Sequence, residues 1–174
     1  KVFGQSGGSG NGPGGLYDLA AVVNGEPDRM FDAGIAALGG MGRFVGRGDT
    51  VLIKPNMSWH SEPEAAANTN PKLVKRIVEH CFDSGARRVY LLDHTLSRNA
   101  YQVSGIASAA EGAGGQAVPA DTSRYYQEVA VRGAENLTSV EVHEVVLEAD
   151  VLISVPVMKH HSSTYLTCGM KNLM

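Results

Sequence analysis

A chain of 174 residues with 43% apolar side chains is one domain, or one domain with a tail, and has enough interior to stand without staples. Fifteen basic against eighteen acidic side chains leave a net charge of −3, which removes the basic footprint of a protein bound mainly to nucleic acid. No run approaches roughly 18 uncharged apolar residues, so no membrane span is expected, and two distant cysteines, Cys81 and Cys168, cannot by themselves ligate a 4Fe–4S cluster or build a zinc ribbon.

Residues 1–25 read as a glycine-rich flexible leader. Within it Gly10-x-Gly12-x-x-Gly15 matches the dinucleotide fingerprint in form, but a working fingerprint follows a strand and opens a helix, and here Pro13 sits inside the loop. From Glu26 the pattern changes. Pro27 and Asp28 are helix-start residues, and Met30, Phe31, Ile35 and Leu38 recur at helical spacing up to Gly39-Gly40. A Gly46–Asp49 turn feeds the apolar run Thr50–Lys54, a buried parallel strand ended by Pro55.

The same grammar repeats. Asn70-Pro71 opens a second helix with apolar face Leu73, Val74, Ile77, Val78 and Cys81, stopping at Gly85. Arg88–Asp93 is a second buried strand, a third helix runs from about Ala100 to Glu111, and Gln116–Pro119 is a short third strand. Between Tyr125 and Val146 the valines at 140, 142, 145 and 146 suggest edge strands, with His143 turned to water. Asp150–Pro156 is the last buried strand. Strands alternating with helices make residues 26–174 an α/β domain, a Rossmann-like, mostly parallel sheet flanked by helices.

Ligands of such sheets bind beyond the carboxyl ends of the strands, so the informative residues follow each apolar run. These are Lys54 and Asn56, then Asp93 and His94, then Lys159, His160, His161 and the hydroxyl residues after them, with Lys171 and Asn172 further on. Lysines suit an anion, histidines beside a thiol suit a soft metal with His161 and Cys168 as candidates, and neutral histidine suits proton transfer; the residues leave the three open. Lys54 reads equally as a solvated charge, Asp93 as a turn cap, His60 and His80 as surface residues, and Cys81 as core. Adjacent residues of an extended chain point opposite ways, so one of His160 and His161 enters the site.

Val51–Asn56 with its Lys-Pro-Asn end, Thr69-Asn70-Pro71, Ala149–Pro156, Lys159-x-His161 and Gly169-Met170-Lys171-Asn172-Leu173 resemble, in this order, the bacterial and archaeal family called domain of unknown function 362. The resemblance covers about residues 50–174 and implies a habit of standing beside ferredoxin-like 4Fe–4S modules, sometimes behind an export signal, so cytoplasmic and exported (periplasmic) locations both stand open. The motif still runs at Met174, and the expectation is an incomplete domain that continues further. The sequence is also distantly similar to the nickel-pincer lactate racemase family, in which a histidine stands ten positions before the lysine that carries the cofactor. His161 and Lys171 have that separation, and His94 falls where that family has a catalytic histidine.

Two functions follow as expectations. The first is a site for a small anionic molecule, with a metal or cofactor left open, in a redox or isomerase-type enzyme. In it His94, His161 and Lys171 do chemistry, and Lys54, Asn56, Asp93, Lys159 and Asn172 bind substrate. The second is a non-catalytic redox-linked module that works with an iron–sulfur, ferredoxin-like partner.

Overall fold

A computed structural model of the chain describes residues 2–5, 17–95, 97 and 99–173. The fingerprint-like glycines at 10, 12 and 15 lie outside the described residues. Within the stretch read as a leader, β1 (Val2–Gln5) pairs antiparallel with β2 (Leu19–Val22), Val2 opposite Val22. β2 in turn packs on α1 (Pro27–Ala37).

The centre is a four-stranded sheet in which every pairing is parallel. It holds β3 (Thr50–Pro55), β4 (Arg88–Leu91), β5 (Gln116–Ala117) and β8 (Val151–Val155) in the order β5-β4-β3-β8. β3 is central because its side chains are apolar on both faces. Val51 and Ile53 enter the main core, whereas Leu52 enters a smaller one with Leu92, Ala120 and Val145. The chain steps outward from β3 through β4 to β5 and then returns to the opposite side of β3, so the strand order reverses between β3 and β8.

The helix α2 (Pro71–Asp83) supplies the largest part of the main core. The Asn70 side chain caps it by accepting from the Lys72 N–H at 2.9 Å, and proline occupies the first turn, where its missing N–H costs nothing. Val74, Ile77, Val78 and Cys81 then fall on one face at intervals of three and four and are buried. Burial pushes the Cys81 thiol up to about 12, as expected of a packed cysteine. Gly85 ends the helix at φ 97°, where a Cβ would meet the Arg47 backbone at 3.2 Å, so only glycine fits without strain.

Three segments depart from the sequence reading. The third helix is two, α3 (Ala100–Val103) and α4 (Ile106–Gly112), because Gly105 adopts φ 68° between them and breaks the helical ladder. The valine-rich segment gives a separate hairpin, β6 (Tyr126–Ala130) with β7 (Ser139–His143). Val145 and Val146 belong to α5 (Glu144–Glu148), not to a strand. His143 does not face water: it is 4% exposed, its Nε2 meets the Pro119 carbonyl at 3.1 Å, and its Nδ1 accepts from the Val145 N–H to cap α5. Its ring lies against Tyr125 and Tyr126, so aromatic packing and two hydrogen bonds outweigh the hydration of an edge histidine. After β8 the chain forms a second hairpin, β9 (Lys159–His161) with β10 (Tyr165–Thr167), and ends its described part in the single turn α6 (Gly169–Asn172).

His80 is half-buried rather than a plain surface residue. Asp32 on α1 accepts from His80 Nε2 at 2.8 Å and from Arg76 Nε at 2.7 Å, and the Phe31 ring stands edge-on to the imidazole. The Arg76 guanidinium holds the Asp32 carboxyl below its ordinary range. Among the described residues no helix is long and apolar enough to cross a membrane.

Asp32→Asn is expected to lower stability by about 1 kcal/mol at neutral pH, the range of partly exposed ion pairs. A lowered folded pKa stabilises above the unfolded value of about 3.9 and loses that stabilisation as pH falls through the folded value. Urea unfolding at pH 7 and at pH 3 should therefore show the gap between wild type and variant closing at the acid end.

Candidate functional site

The carboxyl ends of β3 and β4, with the segment after β8, enclose a cavity of about 170 Å³. Lys54, Asn56, Asp93, His94, Lys159, His161, Lys171 and Asn172, the residues expected from the sequence, all line it. Ser58, Trp59 and Thr167 also line it; the sequence reading did not single them out. The lone tryptophan so soon after the Lys-Pro-Asn strand end was the available signal for Trp59; Thr167 had none, because its hairpin was not expected.

Asp93 is the hub. It is 3% exposed; one oxygen accepts from the Met57 N–H at 2.6 Å and the other from the Lys54 ammonium. Its backbone N–H donates to the Tyr101 hydroxyl at 3.2 Å, and that hydroxyl reaches the Asp93 and Val118 carbonyls at 3.0 Å each. Burial pushes the Tyr101 phenol up to about 12, so it stays a donor. Neither of these carboxylate partners lies in the turn after Asp93, so instead of the turn cap read from the sequence the carboxylate joins the ends of β3 and β4.

Thr69 closes the other side. Its hydroxyl accepts from the Asn56 N–H at 2.8 Å and donates to the Val155 carbonyl at 2.7 Å, which ties the ends of β3 and β8 together. The Asn68 amide holds the intervening loop by pairing with both backbone groups of Trp59. Lys159 donates to Asn56 Oδ1 at 2.9 Å and to the Ala67 carbonyl. Burial holds its ammonium below the ordinary lysine range, and the nearby Asp93 carboxylate partly offsets this. Asn172 donates to the Lys54 carbonyl at 3.0 Å and Ser154 Oγ at 3.1 Å, which anchors α6 to the sheet. Lys171, one residue before, lines the cavity with its side chain in no ion pair among the described residues, while its carbonyl accepts from the Leu173 N–H.

The two histidines differ in their free nitrogens. His161 Nδ1 accepts from the backbone N–H groups of Ser163 and Thr164, each at 3.2 Å, in a turn that leaves Tyr165 at φ 60°. Nδ1 therefore keeps its lone pair and the ring proton sits on Nε2. His94 is the reverse. The Tyr126 hydroxyl spends its hydrogen on the Ala120 carbonyl at 2.8 Å, so the His94 Nδ1 3.4 Å from it is the donor and Nε2 carries the lone pair. One imidazole offers an acceptor and the other a donor.

His160 is exposed and His161 lines the cavity, the opposite orientation expected of neighbours on a strand. His60 is exposed and outside the cavity. Cys168 is exposed at the start of α6 and does not line it. Among the described residues no three His, Cys, Asp or Glu side chains are grouped to hold a metal ion. A second, larger cleft of about 750 Å³ adjoins the cavity and shares Asp93 and His94 with it.

The family described as Domain of unknown function (DUF362) matches residues 51–174, and the chain belongs to that family. It is also similar to the thylakoid-associated protein sll1697 of Synechocystis sp., 27% identical over 139 residues, which cover 78% of this chain and 41% of that protein. The chain thus spans less than half the length of this curated relative. No solved structure matches.

Asp93→Asn should cost about 3 kcal/mol, because it leaves the Lys54 ammonium facing an amide in a partly buried site. Adding Lys54→Met should recover part of that loss in urea unfolding, since both charges are then gone. An unchanged midpoint for Asp93→Asn would remove the carboxylate from its place at the hub.

Proposed function

We propose that this DUF362 member binds a small anionic molecule in the cavity beyond β3 and β4, and that His94 and His161 move a proton on it, an isomerase-type reaction. The observation that carries the reading is charge. Lys54, Lys159 and Lys171 line the cavity from separate segments of the chain, while Asp93 is the only carboxylate among its described lining residues and already holds Lys54. An anion placed among these ammonium groups gains from each of them.

The histidine pair supports the proton step. The free His94 Nε2 accepts a proton from a carbon next to a ligand carbonyl, and the His161 Nε2–H stabilises the negative charge that develops on the oxygen. Where the carbon that loses the proton carries a hydroxyl, the hydroxyl proton passes to the former carbonyl oxygen within the enediol, and return of the proton from His94 to the former carbonyl carbon completes an isomerisation in which no electron enters or leaves. The reading as a redox-linked module rests on the family resemblance and draws on no feature of this cavity.

Thermal unfolding with inorganic phosphate or succinate tests the binding. Saturation about 100-fold above Kd adds about 2.7 kcal/mol, a rise of roughly 5 °C or more for a chain of this size. Lys171→Gln should abolish most of that rise while leaving the unliganded Tm unchanged or slightly higher, because it removes a like charge. If neither anion at about 10 mM moves Tm, the anion site is wrong.

A further inference from the structure

Charge and shape carry the anion reading one step further, to the class of ligand. Within the cavity Lys54 and Asp93 pair, which leaves Lys159, whose ammonium donates to the neutral Asn56 and Ala67 oxygens, and Lys171 facing no second carboxylate among the described lining residues. Two positive charges match a doubly charged head better than a single carboxylate. The cavity's 170 Å³ has room for a compact head group and little more.

The adjoining cleft is of a different character. It measures about 750 Å³ and opens from the same Asp93 and His94 toward the end of β5 and the side of α4. Ala107, Val118 and Ala120 give it an apolar wall, and the carboxylates of Glu111 and Asp121 line it without a lysine or arginine beside them among its described lining residues. Those carboxylates repel a second anionic group and accept from hydroxyl or amino groups, so the cleft is suited to an uncharged, hydrogen-bonding body. His94 stands where head and body would join.

Resting on the anion reading above, we infer that the ligand is bipartite: a dianionic head, a phosphate monoester or a compact dicarboxylate, held by Lys159 and Lys171, joined to an uncharged cyclic or hydroxylated body in the cleft between α4 and β5. The head gives charge recognition; the body gives selectivity, because its apolar contact area and hydroxyl partners lie outside the lysine cavity.

Titration calorimetry on the whole chain separates the parts, with inorganic phosphate against ribose 5-phosphate and succinate against phenylsuccinate. In at least one pair the member with a body should bind about tenfold tighter or more. Ala107→Phe, which fills the cleft, should bring that member down to the level of its bare head. Ser108→Trp should do the same from an exposed position on α4 where a large side chain does not disturb the core. Equal affinity within both pairs, or an advantage that survives both substitutions, overturns the bipartite ligand while leaving the anion site standing. Absence of binding by both bare heads and both larger ligands overturns the two together. Which pair shows the advantage decides between phosphate and dicarboxylate.

Discussion

A buried carboxylate decides the shape of this sheet edge. Asp93 stands at the end of β4 with almost no solvent, and a carboxylate in that position is tolerable only if its oxygens are fully engaged. The Met57 amide and the Lys54 ammonium engage them, and both come from β3 or the loop that leaves it. The loop after β3 is therefore not free to wander: its first turn is bound to the next strand, and Asn68 and Thr69 bind its return. What is left between these ties is a cavity whose polar wall is hydrogen-bonded to both neighbouring strands.

The reversal of strand order does the rest. Because the chain returns to the far side of β3, the end of β8 and the hairpin after it arrive beside Asn56, and Lys159 can reach across to its side chain. Asn172 then folds back onto the Lys54 carbonyl and brings Lys171 with it. Open α/β sheets form a crevice at such a reversal, and here that crevice is lined by Lys54, Lys159 and Lys171.

Much of this was legible in the residues. The parallel strands and α2 followed from apolar runs and helical spacing, and Lys54, Asn56, Asp93, His94, Lys159, His161, Lys171 and Asn172 share one cavity, whereas His60, His160 and the hydroxyl residues directly after His161 do not line it. The failures have a common cause. Alternation alone turns His143 to water, yet its surroundings are Pro119, Tyr125 and Tyr126, brought together by the β6–β7 hairpin and the chain that enters it. The break at Gly105 and the helix over Val145 and Val146 were hidden because small residues and valines fit either reading until neighbours choose. Thr167 and Trp59 were missed because their hairpin and loop carry no periodic signal.

By itself the sequence determined which segments are buried and which polar groups follow them, since apolar periodicity and strand-end chemistry are local properties of the chain. Only the tertiary structure decided who meets whom. Lys54 and Asp93 are 39 residues apart, Asn56 and Lys159 are 103 apart, and Lys54 and Asn172 are 118 apart, and those meetings depend on strand order. The same holds for the proton positions on the two histidines. A turn amide pair fixes one and a tyrosine from another hairpin fixes the other, because a ring nitrogen takes its role from the partner that packing puts beside it.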